Sequence, residues 1–158
     1  MRTNYLFPNR FKLPGWFLLG LGIVLGFVYI FFQESPGFLN QKVFAMVDQE
    51  FLHPVILFQM VQTNLFGDII AILLISGGLF VAFSKEKIED EYISKIRLES
   101  LVWATYINYF VIIFSIIFIY GTAFLWILIF NMFTLLFFFI IRFYWLKKSV
   151  KKMMRNEE

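Results

Sequence analysis

Two apolar runs separated by a short turn decide the fold of this chain. Residues 101–120 read LVWATYINYFVIIFSIIFIY, and after Gly121 and Thr122 the second run, 123–146, reads AFLWILIFNMFTLLFFFIIRFYWL. At 1.5 Å per residue, a helix of about 20 residues crosses the roughly 30 Å hydrocarbon core of a bilayer. Because so short a turn joins the runs, they are predicted to form an antiparallel pair of membrane-spanning helices.

Two further runs of this kind precede the pair, at 14–32 and 65–84. Of the 158 residues, 60% are hydrophobic and only 16% are charged, so much of the apolar surface must face lipid. The sequence therefore predicts one all-α transmembrane domain over 1–158, an antiparallel bundle of four helices. The remaining segments are predicted to be an outer loop, an inner amphipathic helix and a basic tail, at 33–64, 85–100 and 147–158.

The placement of lysine and arginine predicts the orientation in the membrane. Three lie before the first span, one (Lys42) lies in the first loop, four lie in the second loop, and six follow from Arg142 onward. Short loops on the cytoplasmic side carry an excess of these residues. Both termini are therefore predicted to be cytoplasmic, with the first and third loops on the outer side.

The outer loop is too apolar for a solvated linker. Val43, Phe44, Val47 and Phe51 recur near helical spacing, and the stretch 55–61 is almost continuously apolar. Pro54 would interrupt one long helix. The pattern predicts two short helices lying in the outer membrane interface.

Polar residues inside the third and fourth spans form a candidate site. If the chain turns near residues 121 and 122, Asn108 lies level with Thr134, and Ser115 lies within one turn of Asn131. Hydrogen bonds between such side chains hold membrane helices together. The alternative is a polar pocket for an ion or small molecule, although ion pathways normally contain an ionisable residue in mid-span.

Asp68 is the carboxylate that falls within an apolar run, at the start of the second span. A negative charge in the first helical turn offsets the helix dipole. An ionisable residue in a span is also a candidate for ligand binding or proton transfer. Both interpretations stay open for Asp68.

Gly22 and Gly26 form a GxxxG pattern within the first span. Small residues at this spacing let two helices approach closely. The pattern predicts tight packing inside the chain, or a homodimer formed through the same face.

The inner helix is amphipathic, because Ile88, Tyr92 and Ile96 repeat every four residues among charged neighbours. No glycine or proline separates it from the third span, so the two can form one helix. A mixed charged face of this kind predicts a surface for a cytoplasmic protein. The candidate contact residues are Glu86, Glu89, Asp90, Glu91 and Lys95.

Several function classes are not expected. The chain has no cysteine, and it lacks the phosphate-binding loop, nucleophile elbow and HExxH patterns of common enzymes. Glu50 and His53 form only half of a carboxylate–histidine metal pair. The basic tail is predicted to contact lipid headgroups rather than nucleic acid, since no binding motif accompanies it. No enzyme activity, cofactor or metal is predicted.

The stretch 84–109, SKEKIEDEYISKIRLESLVWATYINY, resembles small bacterial four-helix integral membrane proteins of unknown function. The likeness lies in an acidic pair, Asp90 and Glu91, that leads into a third span opening with Ala104 and Tyr106. Some of those proteins are encoded beside helix-turn-helix regulators. The resemblance implies the bacterial inner (cytoplasmic) membrane, and a membrane protein that holds or inhibits a cytoplasmic regulator.

Three functions are compatible with these patterns. The first is a non-enzymatic regulator or sensor that binds a cytoplasmic partner through its inner helix. The second is a small channel, permease component or resistance protein that uses Asp68 and the polar stripe of Asn108 and Asn131. The third is a structural subunit of an envelope complex.

Overall fold

The four predicted spans are helices. The computed structural model describes residues 5–32, 36–48, 56–87 and 90–156. The helices are α1 (Lys12–Phe32), α2 (Phe66–Phe83), α3 (Glu91–Phe118) and α4 (Thr122–Asn156). By length and composition, each of these described helices could cross a membrane. The prediction of four apolar helices is thus confirmed, and it supports a multi-pass membrane protein.

Helices α3 and α4 are longer than the apolar runs that predicted them. They contain 28 and 35 residues, or about 42 and 52 Å at 1.5 Å per residue. Ten residues of α3 precede Leu101, so the inner helix and the third span are one continuous helix. Helix α4 likewise continues through the predicted basic tail as far as Asn156. Both helices therefore exceed the roughly 30 Å hydrocarbon core.

The inner helix begins at Glu91, so the expected start at Lys85 is wrong. The Asp90 side chain accepts a hydrogen bond from the backbone N–H of Ile93 at 2.7 Å, which caps the helix. Before the cap, Ser84 instead forms a parallel β-bridge with Phe7. The intervening residues 88 and 89 lie outside the described part of the chain.

The turn between α3 and α4 is longer than the two residues expected. Helix α3 ends at Phe118, Ile119 is extended with φ −126° and ψ 127°, and α4 begins at Thr122. Gly121 has φ +69°, a left-handed conformation that glycine adopts without steric cost. Because Ile119 and Tyr120 are not helical, the predicted register of the two helices shifts.

The outer loop forms a β-hairpin, and the prediction of two short helices is wrong. Strands β1 (Asn40–Asp48) and β2 (Ile56–Asn64) pair antiparallel, with Asn40 opposite Asn64 and Asp48 opposite Ile56. The segment is rich in β-branched and aromatic residues, which favour a pleated backbone. The predicted helical residue Phe51, and Pro54, Glu50 and His53, lie outside the described residues.

Side chains at the base of the hairpin join it to α2. The Asn64 amide donates a hydrogen bond to Asn40 Oδ1 at 2.7 Å, which links the two strands. The oxygen of the same Asn64 side chain accepts a hydrogen bond from the N–H of Phe66, the first residue of α2, at 2.9 Å. The base of the hairpin therefore lies next to the start of α2.

The chain divides into two compact units, 1–19 with 74–158, and 20–73. In the first unit, fully buried side chains from α2, α3 and α4 form the core. They are Val81, Ala82, Ala104, Phe139 and Phe143. In the second unit, Phe66 and Ile70 are buried, and the Tyr29 ring packs edge-on against Phe66 with centroids 5.7 Å apart.

Gly77 brings α1 and α2 into backbone contact within the first unit. A Cβ atom built on Gly77 would lie 2.5 Å from the backbone nitrogen of Leu19 and 2.9 Å from its Cα. Neither of those atoms can rotate away, because both belong to a helix backbone. Only glycine fits this crossing, which is the use that membrane helices commonly make of small residues.

Candidate functional site

A buried glutamate joins three segments at one end of the first unit. Glu86, in the connection between α2 and α3, accepts a hydrogen bond from Lys12 at the start of α1 through Oε1. Its Oε2 accepts a second from Lys147 of α4 at 2.6 Å. Its side chain is only 7% exposed. We call these three residues the Glu86 cluster and this end of the molecule the basic end.

The two lysines determine the protonation state of Glu86. Burial by itself raises the pKa of the Glu86 carboxyl, because the charged form loses hydration. Hydrogen bonds from Lys12 and Lys147 outweigh that effect and hold the pKa below its ordinary value of 4.5. The carboxylate is therefore ionised at neutral pH, and charge-assisted hydrogen bonds of this kind are among the strong ones in proteins.

The N-terminal segment adds backbone bonds around the same connection. The N–H of Phe7 donates to the carbonyl of Phe83 at 2.9 Å, and the N–H of Lys85 donates to the carbonyl of Phe7 at 2.9 Å. The Asn9 side-chain amide donates to the carbonyl of Lys85 at 2.6 Å. The residues that precede α1 are thus attached to the residues that follow α2.

Arg97 connects the start of α3 to the same region. The residue is only 8% exposed, and its guanidinium lies 5.3 Å from the ring centroid of Phe143 in α4. Its Nη2 also lies 3.5 Å from the carbonyl oxygen of Ser84. This arginine therefore holds the first turns of α3 against α4 and the α2–α3 connection.

The candidate partner-binding residues separate into two groups in the structure. Glu86 is buried in its cluster, so in this conformation it is not available to a partner. Asp90, Glu91 and Lys95 are exposed, and we call these three residues the α3 surface. Glu89 lies outside the described residues.

Exposed apolar and acidic residues surround the α3 surface. Tyr92 is 50% exposed and Leu98 is 64% exposed, and Glu99 is also exposed. Aromatic residues are enriched in protein interfaces, whose rims are polar. The first turns of α3 therefore present a mixed surface on a helix whose other side is fixed by Arg97.

The polar stripe of α3 and α4 contains one bond between the helices. The Asn131 amide donates to Asn108 Oδ1 at 3.1 Å, so Asn131 takes the position expected of Thr134. Ser115 and Thr134 instead donate to carbonyls of their own helices, those of Val111 and Phe130. The shift follows from the non-helical residues of the α3–α4 turn.

Asp68 is exposed in the first turn of α2, where its charge opposes the helix dipole. Gly22 is buried, and a Cβ atom built on Gly26 would contact Ile70 of α2 at 3.6 Å. Gly26 therefore lies on a part of α1 that packs against α2 within the second unit.

Three functional candidates were missed as individual residues. Lys12 was counted as a topology signal and Lys147 also as part of the basic tail, because their partner Glu86 is 74 and 61 residues away. Arg142 was counted only among the residues that indicate topology, although it stands within the fourth apolar run. An ionisable residue inside a span is itself a signal, and it would have singled out Arg142.

The chemistry of the basic end is that of ion pairs. Among the described residues, no group of three histidine, aspartate or glutamate side chains could hold a metal ion. No protein-family model, curated protein or solved structure matches the chain at a significant level.

Proposed function

We propose that this chain is a non-enzymatic regulator or sensor of the bacterial inner membrane, with both termini in the cytoplasm, that binds a cytoplasmic protein through the α3 surface. The observation that carries the proposal is a capped helix start whose charged side is exposed and whose other side is anchored. Asp90 caps α3, and Glu91 and Lys95 are exposed. Arg97 packs on Phe143 behind them.

The charge distribution supports this orientation. Thirteen of the fourteen lysine and arginine residues lie outside the segment 33–64, which contains only Lys42. The positive-inside rule places the two termini and the α3 surface on the cytoplasmic side and the hairpin on the outer side. The exposed hairpin is then available to respond to conditions outside the cytoplasm.

The contacts of the Glu86 cluster support a second role for the chain, which is to transmit a change in the membrane helices to the α3 surface. The Glu86 cluster links the start of α1, the α2–α3 connection and α4 through two charge-assisted hydrogen bonds. A movement of any of these segments would displace the start of α3. The alternative of a channel has less support, because Asn108 and Asn131 bond to each other.

The test exchanges the two exposed charges of the α3 surface. In the double variant Glu91→Lys/Lys95→Glu, the net charge is kept, and the Asp90 cap is left intact. We expect the affinity for the cytoplasmic partner to fall about tenfold, equivalent to about 1.4 kcal/mol. The measurement is affinity capture from native membranes in mild detergent, with a photo-crosslinking residue in place of Tyr92 to identify the partner.

The matched control is Lys42→Glu, which changes an exposed charge on β1. It is expected to retain the partner at the native level. Equal recovery of the same partner by the native chain and the double variant would contradict the proposal. So would a native protein that crosslinks to no cytoplasmic protein.

A further inference from the structure

A shallow groove of about 220 Å³ lies between α3 and α4 near the basic end. Its lining consists of one basic and five apolar or aromatic residues, Ala104, Ile107, Phe138, Ile141, Arg142 and Trp145. Ile141 and Trp145 are 64% and 63% exposed at its rim. The groove therefore opens on the outward face of the helix pair, the face that a membrane-embedded protein turns toward lipid.

Arg142 is the cation of this groove, and its charge is only loosely compensated. Its Nη2 lies 3.6 Å from Glu99 Oε1, which is longer than a hydrogen bond, and the Glu99 side chain is 53% exposed. Within the described part of the chain, its buried Nε has no hydrogen-bond partner. The contrast with Lys147, which lies 2.6 Å from Glu86, shows that the Arg142 guanidinium retains capacity for another anion.

The position of Arg142 along the helices matches the depth of lipid headgroups. Its guanidinium lies 4.5 Å from the ring centroid of Trp103, and Trp145 lies one turn further along α4. Tryptophan is enriched at the membrane–water boundary. The apolar run of α3 begins at Leu101, so Trp103 and Arg142 lie close to the end of the membrane-spanning part.

We infer that this groove binds an anionic phospholipid, with the phosphate on the Arg142 guanidinium and an acyl chain along Ile107 and Phe138. The planar guanidinium matches the geometry of a phosphate and can bond it through two N–H groups. Basic pockets between membrane helices bind lipid headgroups in this way. The inference does not depend on the proposed protein partner, since it uses neither the α3 surface nor the Glu86 cluster.

The test compares lipid retention by variants in native mass spectrometry. Purified protein is exchanged into detergent with equal amounts of phosphatidylglycerol and phosphatidylcholine. The native chain is expected to retain phosphatidylglycerol selectively, and Arg142→Gln is expected to bind it about tenfold more weakly. Lys148→Gln, which removes an exposed charge from the same end of α4, is the matched control and is expected to bind as the native chain does.

Three results of the comparison between lipids and variants would overturn the inference. They are equal retention of the two lipids by the native chain, unchanged retention by Arg142→Gln, and equal losses in Arg142→Gln and Lys148→Gln. A competition arm with glycerol phosphate, which has no acyl chain, separates lipid from free phosphate. Displacement of the lipid by millimolar glycerol phosphate would show that the groove takes no acyl chain, and it too would overturn the inference.

Discussion

Replacement of Glu86 by glutamine is expected to lower the free energy of unfolding by about 3 kcal/mol, because it leaves Lys12 and Lys147 side by side without a counter-charge. Removing one partner of a buried ion pair costs about 3–5 kcal/mol. The lower end applies here, since the two lysine side chains are 17% and 32% exposed. The measurement is unfolding in mixed micelles of increasing dodecyl sulfate content, followed by circular dichroism.

The matched control for this change is Glu99→Gln. Glu99 is 53% exposed and lies 3.6 Å from Arg142, so its loss is expected to cost at most about 1 kcal/mol. If Glu86→Gln and Glu99→Gln were equally mild, the Glu86 cluster would have no special role in stability.

Acid titration gives a second measure of how much the Glu86 cluster stabilises the folded chain. Because the pKa of Glu86 is lowered in the folded state, its stabilising contribution is complete above the unfolded pKa and is lost as the pH falls through the folded value. As the pH falls below about 4.5, the native chain should therefore lose more stability than Glu86→Gln. If the stability of the two proteins changed with pH in the same way, the lowered pKa of Glu86 in the folded state would be contradicted.

Gly77→Ala is expected to cost about 2–3 kcal/mol, the upper part of the range of about 1–3 kcal/mol found when a closely packed interior receives extra atoms. The added Cβ would lie 2.5 Å from the Leu19 nitrogen, so α1 and α2 have to separate along the crossing. The same micelle unfolding experiment measures the loss. A further consequence is weaker protection of the amides around Leu19 from hydrogen exchange.

Gly20→Ala is the control for this prediction, because it makes the same chemical change in α1. A Cβ atom built on Gly20 meets no heavy atom within 4 Å. Its effect is expected to stay within about 1 kcal/mol, the difference in helix propensity between the two residues. If Gly77→Ala were as stable as the native chain, α1 and α2 would not cross this closely.

Span positions could be predicted from the sequence because they depend on local composition. A run of about 20 apolar residues has few alternatives to a membrane-spanning helix. The boundaries were less accurate where polar residues continue a helix, as they do before Leu101 and after Leu146. There the helix ends depend on a cap such as Asp90 rather than on hydropathy.

The hairpin could not be predicted as reliably as the positions of the spans. In a segment this apolar, Val43 and Val47 fit a helical spacing, while Val43, Ala45 and Val47 fit the alternation of a strand equally well. The pairing that decides between them joins Val43 to Val61, eighteen residues away. Periodicity within one segment contains no information about such a partner.

The Glu86 cluster illustrates the same limit for the candidate site. The sequence marks Glu86 as one acid among several in a charged segment, and its neighbours suggest an exposed helix face. What buries it is the meeting of Lys12 and Lys147 around it. The prediction for Asn108 was more accurate, since its partner is Asn131 rather than Thr134. A short connection between two antiparallel helices fixes their register to within about one helical turn.

Single-cysteine labelling tests the orientation of the chain in the membrane. The chain contains no cysteine, so Lys42→Cys on β1 and Lys95→Cys on α3 each introduce one thiol at an exposed position. Intact cells are treated with a membrane-impermeant maleimide. We expect Lys42→Cys to react in intact cells and Lys95→Cys to react only after permeabilisation; reaction of Lys95→Cys in intact cells would contradict a cytoplasmic α3 surface.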